Sequence, residues 1–241
     1  MDSSLELARE RLLAPAGIGD DDLNGILDRL MGHAIDSADL YFQSTRFESW
    51  VLEDGIVKEG NHSIEQGAGV RAISGDKTGF AYSDEIVMPA LLEASQQARA
   101  IARSGRQASL QAWRPTGELG LYRPVDPLDS MSADAKVDLL KRIDAEARRI
   151  DPRVQQVIVS LAGVHEVVMV ANTDGTLAGD VRPLVRLNVS VIVEQNGRRE
   201  QGSSGCGGRG GYDMFLEGER AFEQAREAVR QALLNLEAVD A

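Results

Sequence analysis

The sequence predicts an α+β protein built from two successive helix–antiparallel-meander–helix units, that is, a duplicated ββββ meander with flanking helices. Alternating apolar and polar residues mark strands in both halves of the chain, and apolar residues at helical spacing mark the flanking helices. A stretch with little periodicity separates the halves. The expected boundaries are an N-terminal extension over residues 1–19, a first α+β domain over 20–104, a linker over 105–130 and a second α+β domain over 131–241.

The first predicted domain begins with a capped helix and continues as a meander. The three aspartates from Asp20 offer N-cap oxygens and favourable charge to the helix start. Residues 38–43 alternate apolar and polar side chains, which is typical of a half-buried strand. Asp54-Gly55 favours a tight hairpin, and Pro89 suits the first turn of the closing helix.

The second predicted domain repeats this order. Ser132 is a candidate cap for its first helix, and two β-rich runs follow at residues 154–161 and 164–171. A long alternating strand over 181–194 turns at Asn196-Gly197, a second strong hairpin signal. A helix from about Leu216 closes the domain, with a predicted buried stripe at Phe222, Ala225, Val229, Leu233 and Leu236.

Charge and cysteine content exclude several functional classes. The chain of 241 residues has a formal net charge of -12, which argues against a nucleic-acid surface or a basic membrane-binding helix. No apolar run approaches the length of a membrane span, and the first residues do not resemble a signal peptide. The single cysteine, Cys206, excludes an internal disulfide and suits a reducing compartment. We therefore expect a cytoplasmic protein.

Arginines and glycines gather around the predicted hairpin near residues 181–210. Arg182 and Arg186 fall on one strand face, where they form either an ordinary solvated surface or a site for carboxylates. The glycine run fits G-x-G-x-x-G, but no helix opens directly on it, so a pliable strand edge that accepts an extended peptide is the better functional interpretation. The candidate substrate-facing or partner-facing residues are Asp180, Arg182, Arg186, Gly205, Gly207, Gly208 and Arg209.

Neither a catalytic nor a metal-binding residue can be assigned from the sequence. The three histidines, His33, His62 and His165, are scattered, and no second histidine follows His165-Glu166 at the spacing of a metallopeptidase helix. Cys206 is a candidate nucleophile only if the fold brings a base to it, because no histidine lies near it in sequence. We therefore expect no cofactor in this chain.

Several long segments resemble the N-terminal region of the TldD/PmbA (TldE) family of zinc metallopeptidases. The resemblance extends over nearly the whole chain. The segments that carry it are residues 38–43, 48–58, 69–83, 174–176 and 180–187.

The resemblance implies a subunit that pairs with a PmbA/TldE-like partner, or with itself, and encloses a chamber in which unfolded or extended peptides are cleaved. The family's zinc motif, H-E-x-x-x-H with a later cysteine, matches no position here, so zinc is expected only in a C-terminal catalytic domain absent from this chain. On this interpretation the chain shapes the substrate chamber and the subunit interface. Two alternatives stay open: a stand-alone peptide-binding, assembly or regulatory module without enzymatic role, and an independent hydrolase that uses Cys206.

Overall fold

The computed structural model describes residues 4–31, 35–102, 111–115 and 121–238. The α-helices are α1 (Ser4–Ala8), α2 (Asp20–Met31), α3 (Met88–Ile101), α4 (Ala133–Ile150) and α5 (Arg220–Glu237). The strands are β1 (Ser37–Glu53), β2 (Ile56–Ser74), β3 (Lys77–Ser83), β4 (Arg114–Pro115), β5 (Val154–Asn172), β6 (Thr176–Gln195) and β7 (Arg198–Gly208). A π-helical turn at Arg9–Leu13 and short 3-10 helices at Ala14–Ala16, Leu128–Ser130 and Tyr212–Phe215 complete the regular structure.

The strands form one sheet in the order β3-β2-β1-β5-β6-β4, and β7 also pairs with β6. The two-residue β4 is parallel to β6, whereas β3 and β7 pair antiparallel with β2 and β6. Helices flank the sheet, so the predicted α+β class is confirmed. Each half contributes three main strands where the sequence indicates four. Residues 38–43 and 50–52 both lie in β1, and the runs at 154–161 and 164–171 join into β5.

The two predicted hairpin dipeptides form tight turns. Asp54 and Gly55 have φ values of 49° and 75°, and Asn196 and Gly197 have φ values of 54° and 82°. Positive φ at both central residues is what a type I′ hairpin turn requires, and Asn, Asp and Gly tolerate it best. These turns connect β1 to β2 and β6 to β7.

The described chain divides into two compact units that interleave along the sequence. Unit I takes the described residues within 1–45, 64–124 and 166–182, and unit II takes those within 46–63, 125–165 and 183–241. Each unit has its own hydrophobic core. Because each core draws on both halves of the chain, each unit closes by contacts between residues far apart in sequence.

In unit I, α2 buries one apolar face. Leu23, Ile26, Leu27 and Leu30 are fully buried, in agreement with the predicted helical spacing. Burial of each such side chain contributes about 1.5–3 kcal/mol. The turns before α2 bury Leu12 and Leu13 in the same core.

Unit II is built on β5, β6, β7, α4 and α5. The Ser132 side chain caps α4 by accepting a hydrogen bond from the amide of Ala135, as the sequence predicts. β5 continues through Gly163, where the Tyr212 ring and hydroxyl occupy the space that a side chain would need. The predicted break between two strands is absent, and Gly163 instead provides the space for an aromatic residue from later in the chain.

In each unit, a glycine on an edge strand allows the helix that follows this strand to pack directly against its backbone. A Cβ at Gly79 on β3 would collide with the carbonyl oxygen of Ala98 on α3. In the same way, a Cβ at Gly202 on β7 would collide with the carbonyl oxygen of Ala228 on α5. Because the two halves use the same contact, the pairing of edge strand and closing helix is duplicated within the fold.

This close approach determines which face of α5 is buried. The residues buried on α5 are Ala221, Ala225, Ala228, Val229 and Ala232. Of the predicted stripe, Ala225 and Val229 are buried, whereas Phe222, Leu233 and Leu236 are only partly buried. The prediction favoured the large apolar side chains, but a helix backbone that touches a strand leaves room mainly for alanine.

Parts of the predicted linker over 105–130 are ordered in the structure, while residues 105–110 and 116–120 lie outside the described residues. In unit I, the Trp113 indole donates to the carbonyl oxygen of Asn172 at 2.9 Å, and Arg114–Pro115 pairs with Thr176 and Leu177 on β6. The domain boundaries drawn from the sequence stay a prediction. Among the described residues, no helix has the length and apolar character that membrane crossing requires.

Candidate functional site

An open groove lies on the sheet face of unit I that is directed away from the core. Leu40 and Phe42 on β1 are fully buried, whereas Tyr41, Gln43 and Thr45 alternate with them and line the groove. Its volume is about 400 Å³. The remaining lining residues are Glu65, Gln66, Gly67, Ala68 and Gly69 of β2, Phe80, Tyr82 and Ser83 of β3, and Asp84.

Two glycines form the floor of the groove. Gly67 and Gly69 alternate along β2 with Ala68 and Val70, which are buried in the core. A Cβ at Gly67 would lie 2.7 Å from the carbonyl oxygen of Ser83, and a Cβ at Gly69 would lie 3.1 Å from the Phe80 ring. The absence of side chains at these two positions therefore lets the Ser83 carbonyl and the Phe80 ring approach β2 closely.

Two aromatic rings form one wall. Phe80 and Tyr82 project from the same face of β3, with ring centroids 6.4 Å apart and ring planes 27° apart. Their exposed fractions are 56% and 79%, although large apolar side chains are usually buried. An exposed aromatic pair beside a groove is typical of a surface that contacts a ligand or partner.

The groove borders a free strand edge. β3 pairs with residues 68–74 of β2, and the last pair of this ladder joins Ala68 of β2 to Ser83 of β3. Residues 64–67 of β2 continue in unit I without a strand on that side, among the residues that the structure describes. A free edge of this kind can add a peptide strand through main-chain hydrogen bonds.

Gln43 and Glu166 connect the groove to a polar network on the neighbouring strands. The Gln43 amide nitrogen donates to Oε1 of Glu166 at 2.8 Å and to Oγ1 of Thr45 at 3.0 Å. The Arg182 guanidinium donates to Oε2 of Glu166 at 3.5 Å. One carboxylate on β5 thus joins β1 to β6 within unit I.

The predicted residues Asp180 and Arg182 lie at the other end of this network. Arg182 Nε donates to Asp180 Oδ2 at 2.8 Å, and the Tyr122 hydroxyl donates to the same oxygen at 2.9 Å. The hydrogen bond that Arg182 donates to Asp180, offset in part by burial, raises the pKa of Arg182, and Glu166 adds to this effect. The carboxylates therefore hold the guanidinium charged and oriented.

The network also acts on Tyr41, whose hydroxyl donates to Gln43 Oε1 at 3.0 Å. Burial raises the pKa of the Tyr41 phenol, and the negative charge of Glu166 raises it further. The positive charge of Arg182 acts in the opposite direction. Tyr41 is thus held as a neutral hydrogen-bond donor near neutral pH.

The other predicted site residues belong to unit II. Arg186 donates to the Asn188 side chain at 3.0 Å, and Arg209 donates to the carbonyl oxygen of Pro183 at 3.4 Å. Arg186 lies opposite Gly207 in the β6–β7 ladder, Asn188 lies opposite Gly205, and Val185 lies opposite Gly208. The structure brings these residues together along one ladder, and their role toward a substrate or partner stays a prediction.

The glycines of β7 have a clear packing role. A Cβ at Gly205 would lie 2.7 Å from the carbonyl oxygen of Leu187, and one at Gly208 would lie 2.8 Å from the Met214 methyl group. A Cβ at Gly207 would collide with the carbonyl oxygen of Val185. These close contacts account for the glycine run without a nucleotide ligand.

Among the residues weighed for catalysis, His165 and Cys206 have different neighbours, and His33 lies outside the described residues. His165 is nearly buried in unit II, with Nδ1 3.3 Å from Oδ2 of Asp126, which also pairs with Arg46 at 2.6 Å. Cys206 is partly buried, and burial raises the pKa of its thiol. Within the described parts of the chain, no group of three or more His, Cys, Asp or Glu side chains is arranged to hold a metal ion.

The sequence analysis missed several residues of the groove. Tyr41 and Gln43 lie at the outward positions of a strand that was predicted, and so do Phe80 and Tyr82. Aromatic residues two positions apart on the solvent side of a strand were the available signal. The link from Gln43 to Glu166 spans 123 residues and had no signal in a single sequence.

Comparison with known proteins identifies the family. Residues 38–102 match the model described as PmbA/TldA metallopeptidase domain 1, and residues 126–236 match the PmbA/TldA metallopeptidase central domain. The chain therefore belongs to the PmbA/TldD metallopeptidase family. Within this family it corresponds to an N-terminal portion of TldD, as the curated relatives indicate.

Two of these relatives are bacterial TldD homologues described as metalloproteases. The chain is 48% identical over 236 residues to the protein from Haemophilus influenzae, covering 95% of this chain and 49% of that protein. It is 41% identical over 244 residues to the protein from Buchnera aphidicola of Schizaphis graminum, covering 99% of this chain and 50% of that protein. The chain thus spans about half the length of the curated relatives it matches.

Solved structures share the fold at low sequence identity. TldE from Thermococcus kodakarensis superposes with a TM-score of 0.66 at 14% identity, covering 88% of this chain and 47% of that one. A protein from Thermotoga maritima, described as a candidate modulator of a DNA gyrase, gives a TM-score of 0.66 at 18% identity over 95% of this chain and 47% of that one. These similarities establish the fold alone.

Proposed function

We propose that this chain is the non-catalytic, substrate-holding part of a TldD-like zinc metallopeptidase subunit in the cytoplasm. It shapes the chamber and the subunit interface, and it presents unfolded or extended peptides for cleavage. The observation that carries this proposal is the groove of unit I beside the free edge of β2. Family membership and the names of the relatives support the peptidase context.

The groove suits an extended chain for a geometric reason. Residues 64–67 of β2 offer main-chain groups to an added strand, and the adjoining groove, with a volume of about 400 Å³, has room for its side chains. An added strand gains main-chain hydrogen bonds whatever its sequence, while the pockets along it select individual side chains. An unfolded or extended peptide has free main-chain groups along its whole length, so this surface favours such substrates over most folded proteins.

The described residues do not fit a zinc site. His165 is nearly buried and contacts Asp126. A metallopeptidase zinc helix needs a second histidine after His165-Glu166, and the sequence has none. We therefore assign no step of the cleavage reaction to these residues. In the proposal, zinc and the groups that activate water belong to the part of the full-length relatives that this chain does not span.

The proposed partner is a PmbA/TldE-like subunit or a second copy of this chain. In unit II, residues 56–63 of β2 are exposed along their whole length, and Ile56 is 60% exposed. Strand edges with exposed apolar residues are usually covered in an assembly. The likeness of fold to TldE supports a partner of related shape.

Binding of a fluorescein-labelled unfolded peptide, followed by fluorescence anisotropy, tests the peptide-holding role. We expect the extended peptide to bind, and the same peptide N-methylated at alternate residues to bind at least about tenfold more weakly, because the methyl groups block main-chain hydrogen bonds. Gly69→Ala, which places a methyl group 3.1 Å from the Phe80 ring, should weaken binding.

Gly25→Ala is the matched control, because a Cβ at Gly25 on α2 meets no atom within 4 Å. It should leave peptide binding unchanged. Absence of binding, or equal binding of the plain and N-methylated peptides, would contradict the proposed role.

A further inference from the structure

We propose that the groove of unit I is a subsite for one arginine side chain of the bound peptide. This inference rests on the proposed function, and it adds a chemical preference to it. Three features of the groove carry it: two carboxylates without cationic partners, an exposed aromatic pair, and an open volume of about 400 Å³ between them.

The charged groups of the groove are all acidic. Glu65 and Asp84 line it and are exposed, and no lysine, arginine or histidine does so. Neither carboxylate forms an ion pair within the described residues. Arg71, the next outward residue of β2 after Gly69, is held by Asp39 at 2.7 Å. A cationic side chain would therefore enter an acidic groove whose neighbouring cation, Arg71, is already paired with Asp39.

The aromatic wall suits a planar cation. Phe80 and Tyr82 expose their rings to the groove, and a cation that approaches an aromatic face is attracted by the ring quadrupole. A guanidinium stacks on such a face while its aliphatic stem covers apolar ring surface. The lysine ammonium can also contact an aromatic face as a cation. It lacks the planar guanidinium group that donates two parallel hydrogen bonds to a carboxylate.

The space and the polar groups agree with this assignment. The walls on β1 and β3 are separated by β2, so their backbones lie about 10 Å apart, twice the usual strand spacing. The Gln43 amide is already engaged with Tyr41, Thr45 and Glu166, so it does not compete for the carboxylates of the groove. Because the Phe80 ring covers Gly69, an arginine side chain in the groove would stack on the exposed aromatic rings.

The experiment compares three labelled peptides of serine, threonine and valine that differ only in one central residue: arginine, its neutral isostere citrulline, or lysine. Binding to the full 241-residue chain is measured by fluorescence anisotropy at low salt. We expect the arginine peptide to bind about fivefold more tightly than the citrulline peptide, with lysine between them.

Two variants tie this preference to the groove. The double variant Glu65→Gln/Asp84→Asn should reduce the arginine preference to less than about twofold, because it removes both carboxylates. Tyr82→Ala should weaken arginine binding about threefold, whereas Tyr82→Phe, which keeps the ring, should retain it. The control variant Asp28→Asn/Glu93→Gln also removes two negative charges, but from exposed positions on α2 and α3. It should leave the arginine preference intact.

The outcomes separate the two proposals. If all three peptides bind equally, or if the preference survives Glu65→Gln/Asp84→Asn, the arginine subsite is wrong and the peptide-holding role stands. If none of the peptides binds, both are wrong. Circular dichroism of each variant establishes that it is folded, which is expected because all the groove substitutions alter exposed side chains.

Discussion

Lys136 and Glu48 form an ion pair that is almost fully removed from water in unit II. Lys136 Nζ lies 2.5 Å from Glu48 Oε1, and the two side chains are 4% and 12% exposed. The same ammonium donates to the carbonyl oxygen of Leu128 at 2.8 Å and lies 4.8 Å from the centre of the Tyr212 ring. The pair thus connects β1, α4 and the segment before α5.

Loss of one partner of this pair should destabilise the protein strongly. Lys136→Met leaves a buried carboxylate without its cation, and we expect the free energy of unfolding to fall by about 3 kcal/mol. Urea denaturation measures the change. The double variant Lys136→Met/Glu48→Leu should recover part of the loss, since apolar replacement of both members removes the stranded charge. A loss below about 1 kcal/mol for the single variant would refute this account.

The effect of glycine-to-alanine substitution on stability should distinguish glycines packed against a helix from glycines that face open space. Gly79→Ala and Gly202→Ala each place a methyl group against a helix carbonyl, and we expect a loss of about 2–3 kcal/mol in unfolding free energy for each. Gly25→Ala, in open space on α2, should be neutral or stabilise by up to about 1 kcal/mol. Thermal or urea unfolding of the three variants tests this order, and equal effects would contradict the observed helix–strand contacts.

Glu146 should contribute stability that is lost in acid. Its hydrogen bond with Arg149, supported by Arg226 on α5, lowers the pKa of the Glu146 carboxyl to about 2. Because this pKa is below the ordinary value of 4.5, the contribution is fully present above about pH 4.5 and is lost as the pH falls through about 2. The unfolding free energy of the wild type should exceed that of Glu146→Gln at pH 6.

That difference should shrink towards zero near pH 2 when urea denaturation is repeated there. Both proteins should still lose stability in acid, because arginine hydrogen bonds also lower the pKa values of Asp151 and Glu227. A difference between wild type and Glu146→Gln that does not change with pH would show that Glu146 does not titrate as described.

The polar network of unit I should be visible in the titration of Tyr41. Glu166→Gln removes a negative charge that disfavours the phenolate, so the pKa of Tyr41 should fall. Arg182→Gln removes a positive charge and should raise it. Nuclear magnetic resonance of protein labelled with ¹³C-tyrosine measures both shifts, and Tyr41→Phe assigns the signal. Shifts in the same direction for both variants would contradict the proposed geometry.

Local signals predicted the class of the fold well. Positive φ at Asp54-Gly55 and Asn196-Gly197, the Ser132 cap and the apolar face of α2 each depend on residues close together in sequence, and each is observed. Such features follow from backbone sterics and from neighbouring side chains. A sequence pattern is therefore sufficient to reveal them.

Contacts between distant residues could not be predicted in this way. Tyr212 occupies the side-chain space of Gly163 on β5, and the buried face of α5 depends on Gly202. The candidate site is a similar case. Asp180 and Arg182 were selected from charge and spacing, but their connection through Glu166 to Gln43 required the pairing of strands far apart in the chain.

The contact of Gly79 with the carbonyl of Ala98 has a mechanical consequence. A helix whose backbone rests directly on a strand cannot slide along it or turn on its axis without forcing side chains into the contact. β3 and α3 should therefore move as one rigid unit. In a hydrogen-exchange experiment, the backbone amides of both elements should lose their protection in the same opening event. Phe80 and Tyr82, which form the aromatic wall, belong to β3. Any widening of the groove at this wall therefore requires β3 and α3 to move together.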